Sequence, residues 1–315
     1  MTPRIMTLTL NPALDVSTGC DRVMAGEKIR CGPTHMDPGG GGINVSRVAH
    51  RLGRDTLAVA LMGGLTGDQM QLLLAQEGVP HTRVPAGNDT RESFTVTERT
   101  TGEQFRFVLE GPLASAEEVE TCLAVVEAEV RPGDIVVGSG SLPPGVPDDF
   151  YATLIRRCVA RGAKVAIDTS GRWLEPALRE GCFVVKPSLS ELEAFVGRSL
   201  PARSDQLDAA RSLVLSGRAE CVALSLGSDG ALLVTHEGSW HAAAPPITAV
   251  SAVGAGDSFL AGLLVATLDG RSWPEALRVA VSAGSVTAES PHTSLCDRES
   301  VLARLEQIHA TSLES

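Results

Sequence analysis

The chain has 315 residues, 43% hydrophobic and 21% charged, with a net charge of -11 and a pI near 5.1. That length and balance suit a folded protein with a large core, while the acidic surplus speaks against nucleic acid, whose partners present a basic face. The longest apolar stretches, such as 259–268, fall well short of the roughly 18 to 20 residues that span a bilayer, and the seven scattered cysteines, with no C-x-x-C spacing, argue against a disulfide framework or a zinc site.

In chain order, residues 4–10 read as a strand, 43–52 as a helix, 56–61 as a strand and 66–76 as a helix. Short apolar strands are expected at 134–138, 164–168 and 182–186, with helices at 148–161, 190–196 and 206–216 between or after them. The last third turns helical, at 259–268, 274–289 and 298–308. This alternation predicts a three-layer α/β fold, a mostly parallel central sheet flanked by helices, with residues 1–315 as one domain. Two intervals break the rhythm. Residues 16–36 and 91–108 carry β-branched and aromatic residues with turn signals such as Thr101-Gly102, and no helical period. They are expected to form a small antiparallel sheet inserted into the larger one and suited to act as a lid. Residues 1–8 lack the basic, apolar and cleavage-site order of a secretory signal, so a cytoplasmic protein is expected.

The stretch Ser251-Ala-Val-Gly-Ala-Gly-Asp-Ser258 sets a turn of small residues and one carboxylate, Asp257, before an apolar helical run. Amides of Gly254, Ala255 and Gly256 would open that helix as unpaired donors, which attract phosphate oxygens. A carboxylate beside a phosphate costs Coulomb energy. Asp257 therefore makes most sense if it takes a proton from a hydroxyl attacking that phosphorus. In isolation such a turn is more often a plain N-cap, worth roughly 1 kcal/mol; the rest of the chain tips the balance.

Gly39-Gly-Gly-Gly42, followed by Ile43 and Asn44, is a second glycine run opening a helix. Glycines let a ligand approach the backbone, and an asparagine in the first turn can bond sugar hydroxyls. Asp15 follows the first strand, where open α/β sheets place ligand contacts. Lys28 and Arg30 lie two apart on a presumed strand, hence on one face, and with Arg91 they could clamp a phosphate already on the substrate. Any one of them alone is more often a solvated surface cation.

Lys28, Lys164 and Lys186 are the only lysines among 27 basic residues, so each is a candidate for a place that needs a compact ammonium. None follows a glycine, which excludes the G-x-x-x-x-G-K-[ST] phosphate loop, and no G-x-G-x-x-G supports a dinucleotide oxidoreductase. Asp168 ends a strand and Lys186-Pro-Ser-Leu-Ser-Glu191 follows the next. Lys186 could reach nucleotide phosphates there, and Glu191 could hold magnesium through water. Ser225-Leu-Gly-Ser-Asp-Gly230 reads as a turn between two strands.

These segments, with Ser139-Gly-Ser-Leu-Pro-Pro-Gly145 and Gly102-Glu-Gln-Phe-Arg-Phe-Val108, resemble the ribokinase-like (PfkB) family of sugar kinases over nearly the whole chain, and within it the branch acting on phosphorylated hexoses. The resemblance implies an ATP- and magnesium-dependent kinase that phosphorylates the 1-hydroxyl of fructose 6-phosphate. Fructose 1-phosphate and tagatose 6-phosphate are the alternative acceptors, and a phosphosugar-binding regulator is the non-enzymatic alternative. It implies Asp257 as base with the amides of Gly254, Ala255 and Gly256 around the migrating charge, and Asp15, Gly40, Gly41 and Asn44 on sugar hydroxyls. Lys28, Arg30, Arg91 and Ser141 would lie near the sugar phosphate; Lys186, Ser188, Ser225, Gly227 and Gly230 would line the ATP site. It further implies potassium near Ser251 and Val253 and a homodimer formed through the lid. The sequence departs from the family at three places: its N-x-x-E motif reads Ser188-Leu-Ser-Glu191, Ala252 stands for a usual threonine, and Pro291-His-Thr-Ser294 lacks a usual Gly and Arg.

Overall fold

The computed structural model describes residues 2–291 and 293–313. β1 (Ile5–Thr9) enters the larger sheet, and the chain then leaves it for β2 (Ala13–Cys20) and β3 (His35–Gly39). Helix α1 (Gly41–Arg51) returns it to β4 (Thr56–Met62), and α2 (Gly64–Gln76) leads to β5 (His81–Pro85) at one edge. A second excursion forms β6 (Arg91–Glu98) and β7 (Gln104–Val108). Regular alternation follows: α3 (Ala116–Glu129), β8 (Ile135–Ser139), α4 (Phe150–Val159), β9 (Lys164–Asp168), α5 (Leu174–Glu180) and β10 (Cys182–Val185). After α6 (Leu189–Val196) and α7 (Arg203–Leu215) come β11 (Ala219–Ser225), β12 (Ala231–Thr235) and β13 (Gly238–Ala242). The last part is α8 (Ala255–Leu268), α9 (Trp273–Glu289), α10 (Arg298–Leu305) and the short β14 (Ala310–Ser312).

The strands form a ten-stranded sheet, β14-β13-β12-β11-β10-β9-β8-β1-β4-β5, and a four-stranded one, β3-β2-β6-β7. From β11 to β5 the large sheet is parallel, and β12, β13 and β14 extend it antiparallel. Parallel strands covered on both faces need apolar side chains on both. β1 is buried at every position: Met6 and Leu8 join one core with Val136, Val165 and Ile167, while Ile5 joins the other with Ile135, Val137 and Ala166. The two-residue alternation of a strand thus feeds two cores at once. Helices α3, α4, α5 and α7 cover the first; α1, α8, α9 and α10 cover the second. Among the described residues no helix is long and apolar enough to cross a membrane.

The smaller sheet differs from expectation in two ways. Its outer ladders, β2 on β3 and β6 on β7, are antiparallel, but the central one, β2 on β6, runs parallel. The cause is topological: β2 leaves after β1 and β6 after β5, and those two strands point the same way in the parent sheet, so the excursions emerge side by side in the same direction. Residues 21–34 form no strand, and Lys28 and Arg30 sit exposed in an irregular segment rather than on a shared strand face. Gly26, Gly32 and Pro33 punctuate this stretch, and proline removes a ladder donor. A third apolar cluster, including Leu14, Val16, Ile43, Met70 and Leu74, seats the root of this sheet on α1 and α2.

Register gives the small sheet two chemically distinct faces. Asp15 pairs with Asp37 and Ser93, and Thr95 with Arg106, so these side chains share the polar face. Met36, Val16, Phe94 and Phe107 are successive cross-strand partners on the opposite face. There Met36, Phe94 and Phe107 are exposed.

Candidate functional site

The polar face of the small sheet overhangs the carboxyl ends of the parallel strands, and a cavity of about 190 Å³ lies between them. Asp15, Asn44, Arg91, Arg106, Gly254 and Asp257 all line it. Open α/β sheets bind ligands at such strand ends, where helix N-termini converge.

Two helices start here. Gly254 caps α8 in the left-handed conformation (φ 75°, ψ -2°), which a side-chain-bearing residue adopts only with strain. Ala255, Gly256 and Asp257 are therefore the first turn of α8 itself, and their amides precede any intrahelical partner. α1 begins at Gly41 and packs against α8, which brings Asn44 to Asp257: Asn44 Nδ2 donates to Asp257 Oδ2 at 2.9 Å. Gly41 is small for a reason: a Cβ there would collide with Ser139 Oγ and lie 3.3 Å from Asp257 Oδ1.

Burial pushes the Asp257 carboxyl up to about 7. The negative charge of Asp168 adds to the rise, the Asn44 hydrogen bond and Lys186 oppose it, and Asp15 adds a little more. Asp15 is likewise raised, to about 6, by burial first, with Arg91 opposing, Asp37 adding and Arg106 opposing. Carboxyls poised near neutrality at a phosphate-sized opening are suited to exchange a proton with a substrate hydroxyl.

Arg91 is held in place by its backbone neighbours, Nη1 donating to the Leu109 carbonyl at 2.8 Å and Nη2 to the Asn11 carbonyl at 3.1 Å. Arg106 joins it from β7, so two guanidinium groups face the cavity. Arg106 is not among the expected site residues, although the segment 102–108 around it carries the family resemblance. Its alternation with Phe105 and Phe107 was the available signal, since one polar residue between two aromatics on a strand points to the other face. Lys28 and Arg30 are not brought to this cavity within the chain. Ser141 is exposed and accepts Asn11 Nδ2 at 3.2 Å, behind the carbonyl that receives Arg91.

Next to the first turn of α8 come the ends of β9 and β10. Lys186 is buried and pairs with Asp168 at 3.1 Å, its Nζ standing beside Gly256. Burial works to lower the Lys186 pKa, but Asp168, and then Asp257 and Glu191, hold it above its ordinary value. Ser188 and Ser225 meet in an isolated parallel bridge, with the Ser225 amide donating to the Pro187 carbonyl at 3.0 Å. Ser188 caps α6 through a capping box: its amide donates to Glu191 Oε2 at 2.7 Å and its Oγ accepts the Glu191 amide at 3.3 Å. Gly227 and Gly230 form the turn between β11 and β12, and a Cβ at Gly230 would strike the end of β13. Ser251 is buried, its amide donating to the Ala288 carbonyl at 3.1 Å and its Oγ accepting the Val253 amide at 3.3 Å. In the segment 291–294, His292 lies outside the described residues.

Comparison with known proteins agrees with this geometry. An ATP-dependent 6-phosphofructokinase isozyme 2 of Mycobacterium tuberculosis is 44% identical over 299 residues, 95% of this chain and 88% of that protein. The Escherichia coli isozyme 2 is 39% identical over 94% of this chain and 96% of its own length. A 1-phosphofructokinase of Bacillus subtilis is 33% identical over 98% of this chain and 100% of its own. The crystal structure of Escherichia coli phosphofructokinase-2 in complex with potassium superposes with a TM-score of 0.93 at 37% identity, covering 97% of this chain and 99% of that one. Residues 9–300 match the pfkB family carbohydrate kinases, a span that takes in the glycine-opened α1, the polar face of the small sheet and the carboxylate in the first turn of α8; the chain belongs to that family.

Proposed function

We propose that this ATP-dependent phosphotransferase carries the γ-phosphoryl group of ATP to the 1-hydroxyl of fructose 6-phosphate, giving fructose 1,6-bisphosphate. The observation that carries this reading is one cavity with Asp257 at a helix start on one side and the two guanidinium groups of Arg91 and Arg106 on the other. Such a pair is suited to a phosphate already on the sugar, because guanidinium forks match its oxygens. The relatives named 6-phosphofructokinase support this acceptor at 39% and 44% identity, and the one named 1-phosphofructokinase at 33% supplies the alternative.

Asp257 takes the proton of the attacking hydroxyl as its oxygen bonds to phosphorus and the bond to the leaving ADP oxygen breaks. The amides of Gly254, Ala255 and Gly256 surround the charge in transit. Asp15, Gly40, Gly41 and Asn44 hold the sugar, with Asp15 accepting from its hydroxyls. Lys186 faces the nucleotide phosphates, with Ser188, Ser225, Gly227 and Gly230 along the nucleotide's path. Among the described residues no group of three or more His, Cys, Asp or Glu is placed so that it could hold a metal ion. A magnesium ion would therefore be carried mainly by phosphates and water, the usual habit of that ion, with Glu191 as its outer carboxylate. A potassium ion would sit by the loop of Ser251 and Val253, which ends at α8.

The apolar row on the outer face of the lid supports pairing of two chains there. Replacing Phe107 by Glu should shift the protein from dimer to monomer in light scattering; a wild-type chain that is already monomeric ends the proposal.

Purified protein assayed against a panel of hexose phosphates should release ADP fastest with fructose 6-phosphate, and faster turnover of fructose 1-phosphate or tagatose 6-phosphate would reassign the substrate. Asp257→Asn should lose about 10² to 10⁴ in kcat, the usual worth of a general base, with phosphosugar affinity kept. Because the base works only when ionised, wild-type kcat/KM should fall tenfold per pH unit below about 7 and level off above it. The raised carboxyl also favours the fold while protonated: that stability is complete below its ordinary value of 3.8 and is lost as pH rises through about 7. The Asn variant should thus melt higher than wild type at pH 8 and lose the Asp257 share of the pH dependence, leaving that of Asp15, which ends near 6; turnover near the wild-type rate would remove Asp257 from the role of base. Arg91→Ala and Arg106→Ala should each raise the KM for phosphosugar by roughly 10- to 100-fold, the worth of one charge-assisted contact of about 1.5–3 kcal/mol, and leave the KM for ATP alone. An unchanged phosphosugar KM in either takes that arginine out of the clamp.

A further inference from the structure

Behind the Asn44–Asp257 contact lies a buried charge cluster that the reaction as described does not use. Arg47, one helical turn beyond Asn44 on α1, is 1% exposed. Its Nη2 donates to Asp37 Oδ1 at 2.9 Å and its Nε to Glu77 Oε2 at 2.9 Å. Nη1 donates to the Pro38 carbonyl at 3.0 Å and reaches Asn44 Oδ1 at 3.5 Å. The second oxygen of Asp37 accepts the Thr293 hydroxyl. Asp37 and Pro38 belong to β3, the strand that leads into the glycine run, and Asp37 is the register partner of Asp15.

A buried ion cluster is poor evidence for stability, since well-packed apolar residues of the same volume do as well or better. The chemistry of the asparagine supplies a more specific use. The two ends of its amide are nearly equal in shape, and only their partners decide which one faces the carboxylate. A guanidinium donates and never accepts, so an Asn44 oxygen turned toward Arg47 forces the amide nitrogen toward Asp257. The flipped amide would set an oxygen against a carboxylate and N–H groups against a cation.

We propose that Arg47 is a positioning residue: locked between Asp37 and Glu77, its guanidinium orients the Asn44 amide onto Asp257 and ties that pair to the root of the lid. The inference rests on Asp257 as the base, and its test is separable from the test of that role. Arg47→Lys keeps the charge but loses the fork. It should lower kcat about 10- to 100-fold, the range a small misplacement of a reacting group produces. The groups facing Asp257 are Asp168, Lys186 and Asp15 besides Asn44, and of these Asn44 is the one that Arg47 touches. Its hydrogen bond favours the ionised carboxylate, so misdirecting it should move the acidic limb of the kcat profile to higher pH. Adding Arg47→Lys to Asn44→Ala should cost nothing further, because the effect runs through Asn44.

Arg54→Ala serves as the control for stability loss alone: Arg54 ties the end of α1 to Asp269 and the Leu268 carbonyl, away from the cavity. It should lower the melting temperature and leave the limb in place. Full additivity of Arg47→Lys with Asn44→Ala, or a limb that does not move, overturns the proposal. Should Arg47→Lys not fold, Arg47→Gln keeps a donor for Asn44, and its limb should lie closer to wild type than that of Arg47→Met; coincident limbs in those two variants overturn the proposal equally. Near-normal turnover of Asp257→Asn would instead defeat the base itself.

Discussion

The site depends on a carboxylate kept in a place where its charge is disfavoured. Asp257 lies in the first turn of α8 with Asp168 and Asp15 near enough to repel it, and burial adds to the penalty. Two things hold it short of permanent protonation: the Asn44 amide and the Lys186 ammonium. Removing the repulsion would leave an ordinary acid, ionised but a weak base; removing the support would leave a carboxylic acid that cannot take a proton. The neighbouring glycines follow from the same constraint. Gly41 leaves room for Ser139 and Asp257 together, and Gly254 turns the chain so that the first turn of α8 faces the cavity.

The small sheet shows how register alone can sort chemistry. A strand offers alternate residues to opposite faces, so one set of pairings puts Asp15, Ser93, Thr95 and Arg106 over the cavity and Met36 and Phe107 away from it. A one-residue slip in β7 would exchange Arg106 for Phe107 and spoil both faces. Pinning that register falls to the root, where Leu14 and Val16 pack on α1 and α2 and where Arg47 grips Asp37 and Pro38. At the far end Gln104 Nε2 donates to the Val250 carbonyl at 3.2 Å, so the lid also touches the loop that leads to α8.

Most of the architecture was legible because buried parallel strands and amphipathic helices write their periods locally. The expected strands at 56–61 and 164–168 and the helix at 43–52 match β4, β9 and α1 to within two residues. Failures came where partners are distant or signals were passed over. The parallel ladder of β2 on β6 depends on where two excursions leave the parent sheet, which no local pattern encodes. Lys28-Ile-Arg30 alternates like a strand, but alternation needs a partner strand to matter, and the glycines and proline around it prevent one. α3 announces itself through Ser115 and Glu118, a capping box that sequence reasoning could have read. Arg47 was out of reach: a lone arginine on a helix normally marks a solvated face, and only the packing of β3 and the end of α2 against α1 makes it interior.

The serine at position 188 shows how a local requirement can absorb a change of residue. A helix start after a strand end needs a side-chain acceptor for its third amide, and serine serves as well as asparagine. Ser188 does this here, and Glu191 returns the bond by accepting the Ser188 amide. The exchange fixes the Glu191 carboxylate through one oxygen. What serine lacks is the second polar arm of asparagine, so any contact that arm would make toward nucleotide or metal must come from elsewhere. Ser190 Oγ stands 3.2 Å from Ser188 Oγ. The capping role thus survives the change intact, and what is lost is the longer polar side chain.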